Sequence, residues 1–179
     1  MAELAGYIQS NLQRAGIQTA MSGGSCVTYW SENAYQSDDI DLIPEGIGQR
    51  AGIRTVMLEL GFTEHNRSFT HPGTKLFLEF PAGPLSVGEE RPRQIDEVVT
   101  ATGTMRLLSP TDCVKDRLIW WFHSGDRQCL AQAVAVAQAV TVDVAEIRRW
   151  SRGEGKSAEF TAIAKQLSRL RTPKRKKRT

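Results

Sequence analysis

The sequence predicts an α/β (α+β) chain: a mixed sheet flanked by helices over residues 1–108, then a C-terminal helical bundle over 109–170. Three observations predict it. Between residues 17 and 108, short apolar runs of strand length alternate with Gly and Pro signals and with helix-period segments. After residue 108 the strand pattern stops and helical periodicity takes over. The switch falls on Ser109-Pro110-Thr111-Asp112, which supplies a serine cap, a proline at the first helical position and an acid in the first turn.

The elements follow in order. Residues 2–15 read as an amphipathic helix, with Leu4, Ile8 and Leu12 at helical spacing and Gly16 as its stop. Ile17 to Met21 is a short apolar strand, broken by Ser22-Gly23-Gly24-Ser25. Cys26 to Tyr35 reads as a helix capped by Ser25. Ile40 to Ile43 is a second strand, stopped by Pro44 and Gly46. Residues 47–60 form a helix with Ile53, Val56, Met57 and Leu60 inward. Strands are expected at 62–65, 67–71 and 75–80, a Pro/Gly-rich loop at 81–93, and further strands at 95–99 and 104–108. Helices are then expected at about 110–123, 126–140, 143–151 and 156–170, with a break at Ser124-Gly125. On the first of these, Val114, Leu118, Trp121 and Phe122 make a core stripe, and Trp120-Trp121-Phe122 is read as core.

Composition narrows the class. Of 179 residues, 40% are hydrophobic and 24% charged, which suits a globular domain large enough to bury a core. The net charge is +3, yet residues 171–179 carry six Lys or Arg and no acid, so the body is at −3. That basic tail is expected to be disordered. It is either a solvated end or an electrostatic contact to nucleic-acid phosphates. Cys26, Cys113 and Cys129 match no zinc or CxxC spacing and read as buried, reduced thiols. With no basic-then-apolar leader and no run near the ~20 apolar residues a membrane helix needs, the expected compartment is the cytoplasm, without membrane contact.

Three features carry chemistry. Ser22-Gly23-Gly24-Ser25 joins a strand to a helix, where glycine permits close backbone approach to a phosphate and the helix start offers free N–H groups. Asp39-Ile40-Asp41 lies on a strand, so alternation puts both carboxylates on one face. Two such charges repel unless a cation joins them, and hard oxygen ligands suit Mg²⁺. The competing reading is an edge strand with a solvated acidic face. Glu79, in Leu76-Phe77-Leu78-Glu79-Phe80, is a lone acid in an apolar strand, and from a neighbouring strand it would complete a three-acid site.

Together these residues resemble the nucleotidyltransferase superfamily: a Gly-Gly/Ser turn opening a helix, a short gap, Asp-hydrophobic-Asp-hydrophobic, then a later acid on a strand. Thirteen residues separate Ser25 from Asp39, which suits that pattern, while Gly23 stands where the family has a hydrophobic residue. The segment from Leu108 to Leu118, with Asp126-Arg127 beyond it, is similar to the helical region of small prokaryotic members, among them nucleotidyltransferase-like toxins of the abortive-infection type. The resemblance spans roughly residues 17–140.

The resemblance implies a nucleotidyltransferase-like core over 1–108 and a helical region over 109–170. It implies that Asp39, Asp41 and Glu79 hold one or two Mg²⁺, with Glu79 helping to deprotonate an acceptor hydroxyl. Gly23, Gly24 and Ser25 would contact the NTP triphosphate, with Lys115 and Asp126 as further nucleotide-binding candidates. Lys115 is read equally well as a solvent-facing lysine. A nucleoside monophosphate would pass to a hydroxyl on RNA, protein or a small molecule. The alternative is a non-catalytic binding protein of the same fold, or a toxin–antitoxin component.

Overall fold

A computed structural model describes residues 1–168. The basic tail at 171–179 and the last residues of the helix expected at 156–170 lie outside the described residues. The chain opens with α1 (Ala2–Arg14), β1 (Thr19–Ser22), α2 (Gly23–Trp30), β2 (Asp39–Pro44) and α3 (Arg50–Glu59). Five strands follow: β3 (Thr63–His65), β4 (Ser68–Thr70), β5 (Phe77–Glu79), β6 (Ile95–Val99) and β7 (Thr104–Leu108). Then come α4 (Pro110–Ser124), α5 (Arg127–Ala139), α6 (Val144–Gly153) and α7 (Ser157–Leu167).

The strands make one mixed seven-stranded sheet in the order β3-β4-β5-β2-β1-β7-β6. Two pairings are parallel, β2 with β5 and β1 with β7. The rest are antiparallel. Along β2 burial alternates: Ile40 and Leu42 are fully buried, while Asp39, Asp41 and Ile43 on the other face are only partly so. The two-residue period seen in the sequence thus sorts carboxylates from core.

Two boundaries differ from expectation for local reasons. α2 begins at Gly23 rather than Cys26, because Gly23 takes φ +63° and lets the chain pass from strand to helix without a loop. It ends at Trp30, where Glu32 and Asn33 adopt positive φ. Pro44 closes β2 from within: it faces Thr19, and the pairing continues past it as Glu45 N–H donates to Gln18 O at 2.9 Å. The Ser109 hydroxyl accepts from Asp112 N–H, and Gly125 ends α4 in the left-handed region, both as the sequence predicts.

A single cluster of buried side chains runs from Ile8 through Met21, Leu42, Leu107 and Leu118 to Trp150 and Phe160. Leu118, wholly buried, contributes about 1.5–3 kcal/mol by its removal from water. Phe122 stacks on Trp150 at 5.8 Å between ring centres. Trp120 departs from the core reading: it is 56% exposed, on the outer side of α4. All three cysteines are buried free thiols.

Two polar devices stitch distant segments. The Gln9 amide of α1 donates to Thr19 O (3.1 Å) and Arg106 O (2.9 Å), and its oxygen accepts from Arg106 N–H (2.8 Å). One buried side chain thereby bridges β1 and β7 below their backbone pairing at Met21 and Leu107. On the helical side, Lys115 Nζ donates to Asp112 Oδ1 (3.0 Å) and Glu146 Oε1 (2.7 Å). The other oxygen of Asp112 accepts the backbone N–H groups of Arg93 and Gln94, and Glu146 also takes Arg93 and Arg149. These bonds fasten the loop before β6 to α4 and α6. Among the described residues no helix is long and apolar enough to cross a membrane.

Candidate active site

The site is built where β1 turns into α2 beside the start of β2. Ser22 pairs with Asp41, so the glycine turn emerges next to that carboxylate. A Cβ on Gly23 would overlap Asp41 Oδ2, and the residue's φ of +63° also demands glycine. A Cβ on Gly24 would come 2.7 Å from Ser37 Oγ, the hydroxyl that hydrogen-bonds Asp39 Oδ1. The glycines are therefore small because the carboxylate strand and its supporting serine lie against them. No side chain caps α2, which leaves its first-turn N–H groups without a side-chain partner.

Ser25 plays a different part from the one its position suggests. It is fully buried; its hydroxyl donates to Ser22 O (2.9 Å) and accepts from Asp41 N–H (3.3 Å). It ties the turn to β2 instead of offering its hydroxyl to a ligand.

Glu79 reaches the same face. β5 runs parallel to β2, with Asp39 opposite Phe77 and Asp41 opposite Glu79. Cross-strand partners share a face, so Asp39, Asp41 and Glu79 project together. Ser68, across from Glu79 on β4, donates its hydroxyl to Glu79 Oε1 at 2.7 Å. Burial first, then the negative charges of Asp39 and Glu79, push Asp41 up to about 7, and Arg117 on α4 acts in the opposite direction.

Among the described residues, no three His, Cys, Asp or Glu side chains are drawn into a ready-made metal cage. The donor set still fits Mg²⁺, which takes one or two carboxylates and completes its shell with water and substrate phosphates. A partly buried carboxylate raised by two like charges is also the electrostatic setting a divalent cation relieves.

The structure does not bring Lys115 and Asp126 into this group. Lys115 is 2% exposed and holds Asp112 and Glu146, because α6, distant in sequence, packs over it. Asp126 caps α5, accepting from Gln128 N–H (2.8 Å) and Cys129 N–H (3.1 Å). The serines that support the outer carboxylates, Ser37 and Ser68, are not among the residues that the sequence marks out. Ser37 lies two residues before Asp39, the one local signal available. A cavity of about 630 Å³ by Pro44, Gln49, Ile53 and Phe80 is lined by none of Asp39, Asp41 and Glu79.

The mixed seven-stranded sheet flanked by helices matches the fold of solved nucleotidyltransferases. The chain is similar to the antibiotic-resistance factor ANT(2'')-Ia in solution, with TM-score 0.54 and 17% identity over 88% of this chain and 91% of that one. It is also similar to crystalline ANT(2'')-Ia in complex with adenylyl-2''-tobramycin, with TM-score 0.50 and 14% identity over 87% and 94%. An antigenic nucleotidyltransferase-like protein from Paracoccidioides brasiliensis gives TM-score 0.54 and 10% identity over 96% and 92%. At such identities the likeness is one of fold. No family model matches the chain, and no curated protein matches it in sequence.

Proposed function

We propose that this protein is a metal-dependent nucleotidyltransferase that moves a nucleoside monophosphate from an NTP to an acceptor hydroxyl. The observation that carries the reading is the convergence of Asp39, Asp41 and Glu79 on one sheet face, with Asp41 packed against the Gly23 turn. The glycine turn and the uncapped start of α2 receive the phosphates. Asp39 and Asp41, with Glu79, would hold Mg²⁺, which when bound would neutralise phosphate charge and polarise the reacting oxygens. Ser37 and Ser68 fix the two outer carboxylates. The acceptor oxygen forms a bond to the α-phosphorus, the bond from that phosphorus to the β-phosphate oxygen breaks, pyrophosphate leaves, and the hydroxyl proton passes to Glu79.

The acceptor class is a hydroxyl on a small molecule, RNA or protein. A structural neighbour is bound to adenylyl-2''-tobramycin, so ATP as donor and small polyhydroxylated molecules as acceptors are the first to try. The experiment is transfer of label from α-labelled ATP in the presence and absence of Mg²⁺. Metal-dependent labelling lost in Asp41→Asn supports the reading; labelling undiminished in that variant removes the site assignment.

A further inference from the structure

The cavity beside the start of α3 is separate from the carboxylate site and has an apolar floor, with Pro44, Ile53 and Phe80 buried. Phe80 meets Phe69 edge to face at 5.6 Å, and Phe69 pairs with Leu78, the neighbour of Glu79 along β5. The floor therefore belongs to the sheet face turned away from Glu79. Its walls are held by close packing. Gly83 does not take a positive φ, yet a Cβ on it would overlap Pro44 O, so the loop after β5 lies directly on the end of β2. Arg50 is braced from two sides: its guanidinium lies 5.2 Å over the Phe69 ring and pairs with Glu64, which also accepts from Arg54 Nε at 2.7 Å. At about 630 Å³ the cavity falls in the size range of small-molecule sites, which are mostly apolar with a few placed polar groups.

Gln49 is one such group. It is the N-cap residue of α3, but its side chain makes no capping bond. Its Oε1 is buried with no hydrogen-bond partner among the described residues. A buried acceptor left unpaired is costly unless something entering the cavity completes it. The fold nevertheless reserves the position. Gly46 does not take a positive φ, yet a Cβ on it would come 2.9 Å from both Cδ and Nε2 of Gln49. Glycine there leaves the space that the amide occupies. Arg67 is the second group. It lines the cavity, is exposed, and has no ion pair among the described residues, whereas Arg50 and Arg54 share Glu64.

We propose that this cavity binds a small planar anion with a lactam edge. A carboxamide presents an acceptor beside N–H donors, and a lactam offers the complementary N–H and C=O side by side. The ring N–H would donate to Gln49 Oε1 and the adjoining carbonyl accept from Nε2, while the flat ring covers the apolar floor and the anionic group meets Arg67. The site stands independently of the nucleotidyl-transfer reading. Its occupant would rest on both carboxylate-bearing strands, since Pro44 ends β2 and Phe80 directly follows β5.

The test is a ligand-observed NMR titration in metal-free buffer with three probes: orotate, which has the lactam and the anion, uracil, which has the lactam alone, and benzoate, which has the anion alone. Orotate is expected to bind wild type about tenfold more tightly than either of the others. Gln49→Leu should weaken orotate and uracil about tenfold and leave benzoate unchanged. Gly46→Ala, which pushes the amide aside, should do the same. Arg67→Ala should weaken orotate and benzoate and leave uracil unchanged. These selective losses separate contact with the probe from damage to the fold, which would weaken all three together. Absence of orotate binding at millimolar concentration overturns the proposal, as does binding that Gln49→Leu and Arg67→Ala leave unchanged. Orotate binding lost in Asp41→Asn but kept in Gln49→Leu also overturns it, by placing the probe at the carboxylates.

Discussion

The α-carbon of Gly23 lies directly against the carboxylate of Asp41, so closely that one methyl group on it would overlap Oδ2. The turn that would face the phosphates and the acid that would face the metal are therefore one packed unit, closed by the Ser25 hydroxyl. Gly23→Ala is expected to cost about 1–3 kcal/mol, from forced positive φ and from displacing Asp41. Urea unfolding measures the loss, and Mn²⁺ affinity should fall in the same variant. An unchanged unfolding midpoint would show that the contact is not tight in solution.

The raised Asp41 carboxyl makes the metal-free protein less stable as pH rises. A folded-state value of about 7, against about 3.9 for a free aspartate, means that the folded state holds the proton more tightly. That stabilisation is fully present below about pH 4 and is lost as pH climbs through about 7, with an upper bound of about 4 kcal/mol at 1.4 kcal/mol per unit. Asp41→Asn should therefore raise the metal-free melting temperature at pH 8, while Mg²⁺ should raise that of wild type alone. Melting curves at pH 5 and 8, with and without Mg²⁺, check both.

Ser68 holds one oxygen of Glu79 at 2.7 Å. Ser68→Ala should lower kcat about tenfold, the cost of a hydrogen bond to a charged group, with a smaller change in KM for the nucleotide. Steady-state kinetics with the labelled donor distinguish this from an equal loss in both parameters, which would point to a structural role.

Lys115 is buried between Asp112 and Glu146, so Lys115→Met should cost about 3 kcal/mol by leaving Asp112 without a cation, while Glu146 keeps Arg93 and Arg149. Arg149, burial working against it, and Lys115 hold the Glu146 carboxyl down at about 2. Its contribution is present above the usual glutamate range and is lost as pH falls from about 4.5 toward 2. Acid titration of the unfolding free energy should show this slope in wild type and flatten in Glu146→Gln.

What could be read in the chain was local. Alternation placed Asp39 and Asp41 on one side of a strand because the two-residue period needs no tertiary information. The start of α4 was equally visible, since Ser109 and Pro110 act within one turn. Glu79 showed as an acid out of place in an apolar run, but nothing in its neighbours announced that β5 would lie parallel to β2. Lys115 misled for the same reason: its partner Glu146 is 31 positions away, and helix position alone says nothing of what packs above it.

The amide of Gln9 has a consequence for the order in which this polypeptide is made. It satisfies Thr19 nearby and Arg106 far along the chain. On a ribosome, α1 and β1 emerge early, but the strand that completes their seam is absent until nearly a hundred further residues have been synthesised. Until Arg106 has emerged, the Gln9 amide holds only its bond to Thr19, so α1 is locked late although it is made well before the strand that locks it.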